Sequence, residues 1–173
     1  MKKVIVSNNY YVADALGYLR DKKSDIKAFR YFADRLIKIL ISGALDGLKL
    51  KEMEAFTEFE KIQVKRIADE FILIPVLRAG VAMLTPALEL LPNAKVGFAG
   101  LVRDEKTAIA KEYYWKVPVA ENQIVLILDP MIVTGGSILY VLRKLKLEKT
   151  KEIRIMNSFI RIVILSTLSF PIP

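Results

Sequence analysis

The sequence predicts a single α/β domain in which a mostly parallel, twisted β-sheet is flanked by helices. Two continuous apolar runs, residues 71–77 and 124–128, have the length of strands that are buried on both faces. Each run is followed by a segment whose apolar residues recur with helical spacing, 80–91 and 136–147. Because a strand–helix–strand order is typical of crossover connections in α/β sheets, the strands joined by each helix are expected to be parallel. The length of 173 residues and the hydrophobic content of 53% suffice for one packed core.

The N-terminal region is predicted to be helical. Helical spacing between residues 12 and 41 indicates two helices that are broken at residues 23–25, with Ser24 as the N-cap of the second. Residues 43–60 are rich in glycine and charge, which indicates a loop-rich region or a hairpin. Residues 61–70 are expected to form a short amphipathic helix.

The second half of the chain completes the predicted sheet. Residues 95–102 are expected to form another strand, and the helix at 136–147 carries leucines on one side and basic residues on the other. Between them, the charged stretch 103–107 leads into an aromatic return arm at 112–116. We expect a hairpin there, either a lid over a site or an ordinary solvated hairpin.

The composition excludes several chemistries. The chain has no histidine and no cysteine, which excludes a thiol nucleophile, a Ser-His-Asp triad, a Cys/His zinc site and a disulfide framework. The net charge of +8 is compatible with nucleic acid, an anionic membrane, a multiply phosphorylated small molecule or simply a lysine-rich surface. Since the basic residues are scattered along the chain, nucleic acid is the less favoured partner. The abundance of lysine is also typical of a thermophilic source.

The N-terminus is too short and too polar for a signal peptide or a membrane span. A cytoplasmic protein with no membrane partner is therefore expected.

Ligands of open parallel sheets bind at the carboxyl ends of the strands, so the residues after each apolar run are the candidates. Residues 129–137 read Asp-Pro-Met-Ile-Val-Thr-Gly-Gly-Ser, between a strand and a helix. Backbone N–H groups and hydroxyls at such a helix start can bind a phosphate, and Asp129 can accept hydrogen bonds from sugar hydroxyls. The alternative is a tight Gly-Gly turn without a ligand. The spacing is neither that of a Walker A loop nor that of a dinucleotide fingerprint.

A second candidate follows the first apolar run, where Arg78 stands before Ala79 and Gly80. An arginine offers forked donors that suit a phosphate. Alone, it could equally be a strand-end arginine in solvent.

Taken together, these segments resemble the type I phosphoribosyltransferases, and among them the uracil phosphoribosyltransferase branch. The run at 129–137 is similar to the signature for phosphoribosyl diphosphate (PRPP), with the proline after Asp129 that is typical of the uracil branch. Residues 75–80, Pro-Val-Leu-Arg-Ala-Gly, and the stretch from Arg103 to Thr107 with Tyr-Tyr at 113–114 match two further motifs of that branch, in the correct order.

The resemblance implies the type I phosphoribosyltransferase fold and the reaction of uracil with PRPP to give UMP and diphosphate. Thr134 to Ser137 would hold the 5-phosphate, Asp129 the ribose hydroxyls, and Arg78 and Arg103 the diphosphate, with Arg103 and Asp129 as catalytic residues. The residues implied in PRPP binding are Arg78, Ala79, Gly80, Arg103, Asp129, Pro130, Met131, Ile132, Val133, Thr134, Gly135, Gly136 and Ser137. Mg²⁺ would enter bound to PRPP rather than on protein ligands. Because departure of diphosphate leaves an oxocarbenium-like centre, positioning and charge stabilisation suffice and no protein nucleophile is required.

The C-terminal sequence departs from the family. Members of this branch carry a segment like Tyr-Ile-x-Pro-Gly-x-Gly-Asp-x-Gly that recognises uracil, and no residues here match it, so no base-binding residues are assigned. Residues 153–173 contain no Asp, Glu, Lys or Gly. We expect a single domain over 1–173 with an atypical end at 153–173, either a truncated or frame-shifted terminus or a family variant, and weak or absent UMP synthesis. The β-prone run at 160–168 would form an exposed sheet edge that tends to pair with another chain, so a homodimer or higher homo-oligomer is expected. Ala82 replaces a second glycine that is usual in the branch.

Three alternatives to a uracil enzyme stay open at this point. The first is a non-catalytic regulatory or RNA-binding protein on the same fold, and the second is an inactive dimeric remnant. The third is a phosphoribosyltransferase for a different nucleobase, because the residues that would recognise the base are not assigned.

Overall fold

The computed structural model describes residues 3–4, 8–103, 110–118, 121–132, 134–145, 150–157 and 163–164. Its described helices are α1 (Tyr10–Arg20), α2 (Ile26–Ala44), α3 (Val81–Leu90) and α4 (Gly136–Leu145). Its described strands are β1 (Lys3–Val4), β2 (Leu50–Phe56), β3 (Lys61–Ile67), β4 (Phe71–Leu77), β5 (Lys95–Val96), β6 (Phe98–Arg103), β7 (Ala110–Lys116), β8 (Ile124–Leu128), β9 (Glu152–Met156) and β10 (Val163–Ile164).

The main sheet has eight strands in the order β1-β10-β9-β8-β4-β6-β7, with β5 also paired to β4. The pairings of β4 with β5, β6 and β8, and of β8 with β9, are parallel. The outer pairings, β6 with β7 and β10 with both β9 and β1, are antiparallel. The mostly parallel sheet predicted from the apolar runs is therefore confirmed.

The two central strands are buried on both faces, as predicted. Leu73 and Leu126 pack with α1, α2 and α3 on one face of the sheet. Ile74 and Ile127 pack with α4 on the other. Since β4 and β8 are parallel and in register, from Phe71 with Ile124 to Pro75 with Leu128, their carboxyl ends lie at the same edge of the sheet.

The break between the first two helices lies where it was predicted, but the cap is a different residue. Asp25, not Ser24, is the N-cap of α2, and its side chain accepts a hydrogen bond from the Ala28 N–H at 2.6 Å. The Ser24 hydroxyl instead donates to the Tyr18 carbonyl at 2.7 Å. The serine therefore satisfies a carbonyl near the end of α1, which leaves the carboxylate to cap α2.

The helix predicted at residues 61–70 is wrong, because this segment contains β3, the second arm of a hairpin with β2. Ile62 and Val64 are half-buried at alternate positions, while the intervening polar residues are exposed. Alternating β-branched residues favour an extended chain over a helix. The strand predicted at 95–102 is divided into β5 and β6 at Gly97, whose N–H donates to the Leu73 carbonyl at 2.9 Å.

The last described strands close one side of the sheet. The residues at 163–164 form β10, which lies between β9 and β1 and covers the edge that β9 would otherwise expose. On β9, buried Arg154 forms an ion pair with Glu152 and donates to the carbonyls of Ala44 and Asp46. These bonds fix β9 to the C-terminal end of α2.

Within the described parts of the chain, no helix combines the length and the apolar character that crossing a bilayer requires.

Candidate active site

The edge where β4 and β8 end brings the two predicted phosphate-binding segments together. A Cβ on Gly80 would lie only 2.3 Å from the carbonyl oxygen of Leu128 and 2.6 Å from the backbone nitrogen of Val76. Only glycine fits at such a distance, so the turn after β4 rests directly on the last residue of β8. Asp129 is the next residue along the chain. The predicted neighbourhood of the Arg78 turn and Asp129 is therefore present in the structure.

The turn presents Arg78 at this edge. Arg78 and Ala79 are exposed, whereas Gly80 is buried and its N–H donates to the Val76 carbonyl at 2.9 Å. The peptide bond between Leu77 and Arg78 is cis. Beside the turn lies an open cleft of about 1040 Å³. It is lined by Leu77, Arg78, Ala79, Ala82, Leu101, Val102 and Tyr113.

Hydrogen bonds hold Asp129 in place directly after the end of β8. It is 9% exposed, and one carboxylate oxygen accepts a hydrogen bond from the Met131 N–H at 3.1 Å. Its backbone is fixed by β9, since the Asp129 N–H donates to the Met156 carbonyl and the Asn157 side-chain amide donates to the Asp129 carbonyl, both at 3.2 Å. Burial raises the pKa of Asp129 above its usual value, and the bond from Met131 opposes that shift. The site thus holds a fixed carboxylate that is largely removed from water.

The segment after Asp129 leads into α4 as predicted. Gly135 adopts a φ of +77°, a left-handed conformation that favours glycine, and its carbonyl accepts the first helical bond from the Leu139 N–H at 2.8 Å. The space around Gly136 is open, since the nearest atom to a Cβ there is the Thr134 hydroxyl at 3.8 Å. The first N–H groups of a helix have no acceptor within the helix, so this start suits an anion. Thr134 is exposed there, and Pro130, Ile132 and Ser137 are half-buried, whereas Val133 lies outside the described residues.

The predicted hairpin exists as β6 and β7, and it approaches the same edge. The backbone of Arg103 ends β6 opposite Ala110 of β7. The Arg103 side chain and residues 104–107 lie outside the described part of the chain. On the return strand, Tyr113 and Tyr114 are exposed by 56% and 44%.

A polar cluster fixes this hairpin to the helix that follows the phosphate segment. Glu112 of β7 accepts hydrogen bonds from the Tyr140 hydroxyl at 3.1 Å and from the Lys144 ammonium at 2.5 Å, both on α4. The same ammonium lies 4.3 Å from the centre of the Trp115 ring. Loss of solvent raises the pKa of Tyr140, and the Glu112 carboxylate raises it further. Glu112 thus ties the β6–β7 hairpin to α4.

Sequence reasoning missed two groups at this edge. Tyr113 was noted only as part of a motif, yet it lines the cleft beside Arg78. Asn157, which holds the Asp129 backbone, follows β9 and carries no local signal in the sequence. Both roles depend on which strands pair, and the residue pattern along a single strand does not reveal that pairing.

Comparison with known proteins identifies relatives of the chain. The family model described as uracil phosphoribosyltransferase matches residues 6–165. The uracil phosphoribosyltransferase of Bacillus cereus (strain B4264) is 38% identical over 158 residues, which are 90% of this chain and 76% of that protein. A Bacillus anthracis protein of the same name matches equally well.

Among solved structures, the AQ2163 protein from Aquifex aeolicus superposes with a TM-score of 0.84 at 29% identity, covering 90% of this chain and 75% of that one. A hypoxanthine-guanine phosphoribosyltransferase from Bacillus anthracis has a TM-score of 0.54 at 12% identity over 91% of this chain and 70% of its own, a likeness of fold alone. The fold is therefore that of the type I phosphoribosyltransferases, and the chain belongs to the uracil phosphoribosyltransferase family.

Proposed function

We propose that the protein transfers the phosphoribosyl group of PRPP to uracil, giving UMP and diphosphate. Membership of the family supports the reaction. The contact of Gly80 with Leu128 is the observation that carries the proposal, because it places the turn that holds Arg78 beside the strand end that leads into Asp129. In the reaction the bond from ribose C1 to the diphosphate breaks, and its electron pair leaves with the diphosphate. A bond from C1 to a uracil ring nitrogen forms, and the proton of that nitrogen is released.

We assign the parts of PRPP to the segments that meet at the sheet edge. The start of α4, Thr134 to Ser137, binds the 5-phosphate, and Asp129 accepts hydrogen bonds from the ribose hydroxyls. Arg78 and Arg103 bind the diphosphate and stabilise the charge that it gains as it leaves. The backbone of Ala79 and Gly80 forms the turn beneath it.

Mg²⁺ enters, on this proposal, as part of the PRPP complex. Within the described residues no group of three or more acidic side chains could hold a metal ion. Magnesium that accompanies a phosphorylated substrate keeps several waters and is bound largely by the substrate's own oxygens. On this proposal Asp129 is left to accept hydrogen bonds from the ribose hydroxyls.

Titration with PRPP and Mg²⁺ tests the assignment directly. The unmodified chain is expected to bind the complex, and Arg78→Ala to bind it about ten-fold more weakly, because a charge-assisted hydrogen bond is lost. Arg30→Ala, which removes an exposed arginine on α2, is the matched control and should bind normally. Absence of binding by the unmodified chain would overturn the proposal. The weak UMP synthesis expected from the C-terminal sequence stays a prediction, as do the single-domain organisation and the cytoplasmic location.

We also propose that the protein forms a homodimer through the β2–β3 hairpin. Met53 and Ala55 face Val64 and Ile62 across the two strands, so one face of the hairpin is apolar. Within the described residues, these strands pair chiefly with each other, and Phe59 near the tip is 93% exposed. An isolated two-stranded hairpin is marginal in water, so a second copy of the chain that covers the apolar face would stabilise it.

Val64→Lys is expected to convert the dimer into a monomer, because it places a charge on the apolar face of the hairpin. Gln63→Lys adds the same charge to the opposite face, across from Glu54, and should leave the dimer intact. Sedimentation velocity of the two variants and the unmodified chain measures the difference. A monomeric unmodified chain, or a dimeric Val64→Lys variant, would contradict the proposed interface.

A further inference from the structure

The strand that returns from the hairpin contains a bulge at Tyr113. Gly100 of β6 pairs with Tyr114, whereas the next residue, Leu101, pairs with Glu112. Tyr113 is therefore an additional residue on β7 that has no partner in the ladder. A bulge of this kind changes the direction of a side chain and is common beside functional sites.

The ring of Tyr113 lies over a residue that has no side chain. A Cβ on Gly100 would lie 2.9 Å from both Cε2 and Cζ of Tyr113, so the outer end of the ring is folded onto the β6 backbone. Gly100 itself pairs with Leu77, the last residue of β4 before Arg78. The hydroxyl-bearing end of the ring thus lies against the residue of β6 that pairs with the last residue of β4.

Tyr113 and Arg78 share one cleft. Both line the cavity of about 1040 Å³, and the remaining side chains around it are aliphatic. Among the lining residues that the structure describes, the side-chain hydrogen-bond donors are therefore the Arg78 guanidinium and the Tyr113 hydroxyl. A cation beside a neutral hydroxyl donor suits an anion with several oxygens, such as a diphosphate.

We propose that Tyr113 is a further substrate-contacting residue, whose hydroxyl donates a hydrogen bond to the diphosphate that Arg78 binds. This inference rests on the proposed function, since it takes the diphosphate of PRPP as the ligand of the cleft. Tyr114 provides a matched comparison: it is the next residue and has similar exposure, but it is not among the residues that line the cleft.

The experiment measures the binding of two fragments of the substrate, magnesium diphosphate and ribose 5-phosphate, by calorimetric titration. Tyr113→Phe is expected to weaken the binding of magnesium diphosphate about ten-fold, because a hydrogen bond to a charged group is lost. Ribose 5-phosphate, which binds at Asp129 and the start of α4, should bind the variant normally. Tyr114→Phe should leave both affinities unchanged. Since Tyr113 is 56% exposed and the substitution keeps the ring, the variant should fold normally.

The outcomes separate the two proposals. If the unmodified chain binds both fragments and Tyr113→Phe binds diphosphate with unchanged affinity, the role of Tyr113 is overturned and the proposed function stands. Equal losses for Tyr113→Phe and Tyr114→Phe would also overturn it, because the effect would then belong to the strand and not to the cleft. If the unmodified chain binds neither fragment, the proposed function fails and the inference fails with it.

Discussion

Gly80→Ala is expected to lower the free energy of unfolding by about 3 kcal/mol and to weaken the binding of PRPP with Mg²⁺ at least about a hundred-fold. The new Cβ would meet the Leu128 carbonyl oxygen at 2.3 Å and two backbone atoms of Val76 at 2.6 and 2.8 Å. These are backbone atoms of two buried strands, so no side-chain rotation relieves the overlap. The turn that carries Arg78 must instead move away from the end of β8, and with it from Asp129.

Gly17→Ala is the control for this experiment. Gly17 lies on the exposed side of α1, and a Cβ there would have no atom within 4 Å. The variant should be more stable by about 0.5 to 1 kcal/mol, because alanine loses less backbone entropy in a helix. Urea unfolding and titration with PRPP measure the two effects. Normal PRPP binding by a folded Gly80→Ala variant would show that the close contact does not position the site.

The sequence was sufficient for the centre of the fold because buried parallel strands have an unmistakable pattern. The runs at Phe71–Leu77 and Ile124–Leu128 are apolar throughout, and the residues after them, Arg78 and Asp129, lie at the strand ends where a ligand site was predicted. The pattern does not indicate the register between these two strands. The contact of Gly80 with Leu128 depends on Pro75 lying opposite Leu128, and only the pairing of the strands determines that alignment.

Apart from the N-cap of α2, the errors fall on strands at the margin of the fold. The mixture of charged and apolar residues at 61–70 predicts a short amphipathic helix, whereas the alternation of Ile62 and Val64 indicates the strand that the structure has at Lys61–Ile67. The bulge at Tyr113 could not be predicted, since the extra residue is accommodated only because Gly100 stands across from it. A residue of β6 thus determines the geometry of β7, and the residue pattern along a single strand does not indicate such an effect.

Asp129→Asn is expected to stabilise the unliganded protein while it weakens the binding of PRPP with Mg²⁺ about a hundred-fold. The asparagine carbonyl oxygen can still accept the hydrogen bond from the Met131 N–H, so the local backbone should be retained. The second carboxylate oxygen is replaced by an amide that cannot accept hydrogen bonds from ribose hydroxyls. The substitution also removes the carboxylate charge of Asp129, which is largely buried, and this loss is the reason for the expected gain in stability.

The dependence of this stabilisation on pH follows from the raised pKa of Asp129. In the folded protein, burial raises the pKa of the carboxyl above the ordinary value of 3.8. Between 3.8 and the raised value, the folded state binds more protons than the unfolded state, so stability falls as the pH rises through this window. Above the window the full cost of the buried charge is present. The stability advantage of Asp129→Asn should therefore be complete at pH values above the raised pKa and disappear as the pH falls below 3.8.

Urea unfolding of both proteins from neutral pH to below 3.8 measures this advantage, and titration with PRPP at neutral pH measures the affinity. Asp69→Asn is a useful comparison, because it removes a carboxylate that forms an ion pair with Lys151. These two residues precede β4 and β9, at the opposite end of the parallel strands from the site. That variant should lose stability and keep its affinity for PRPP, the opposite of Asp129→Asn in both respects. If Asp129→Asn were instead less stable at neutral pH and bound PRPP normally, Asp129 would be a structural carboxylate and the ribose site would lie elsewhere. A gain in stability together with a loss of affinity would show that the buried charge of Asp129 lowers the stability of the fold but is needed to bind the ligand.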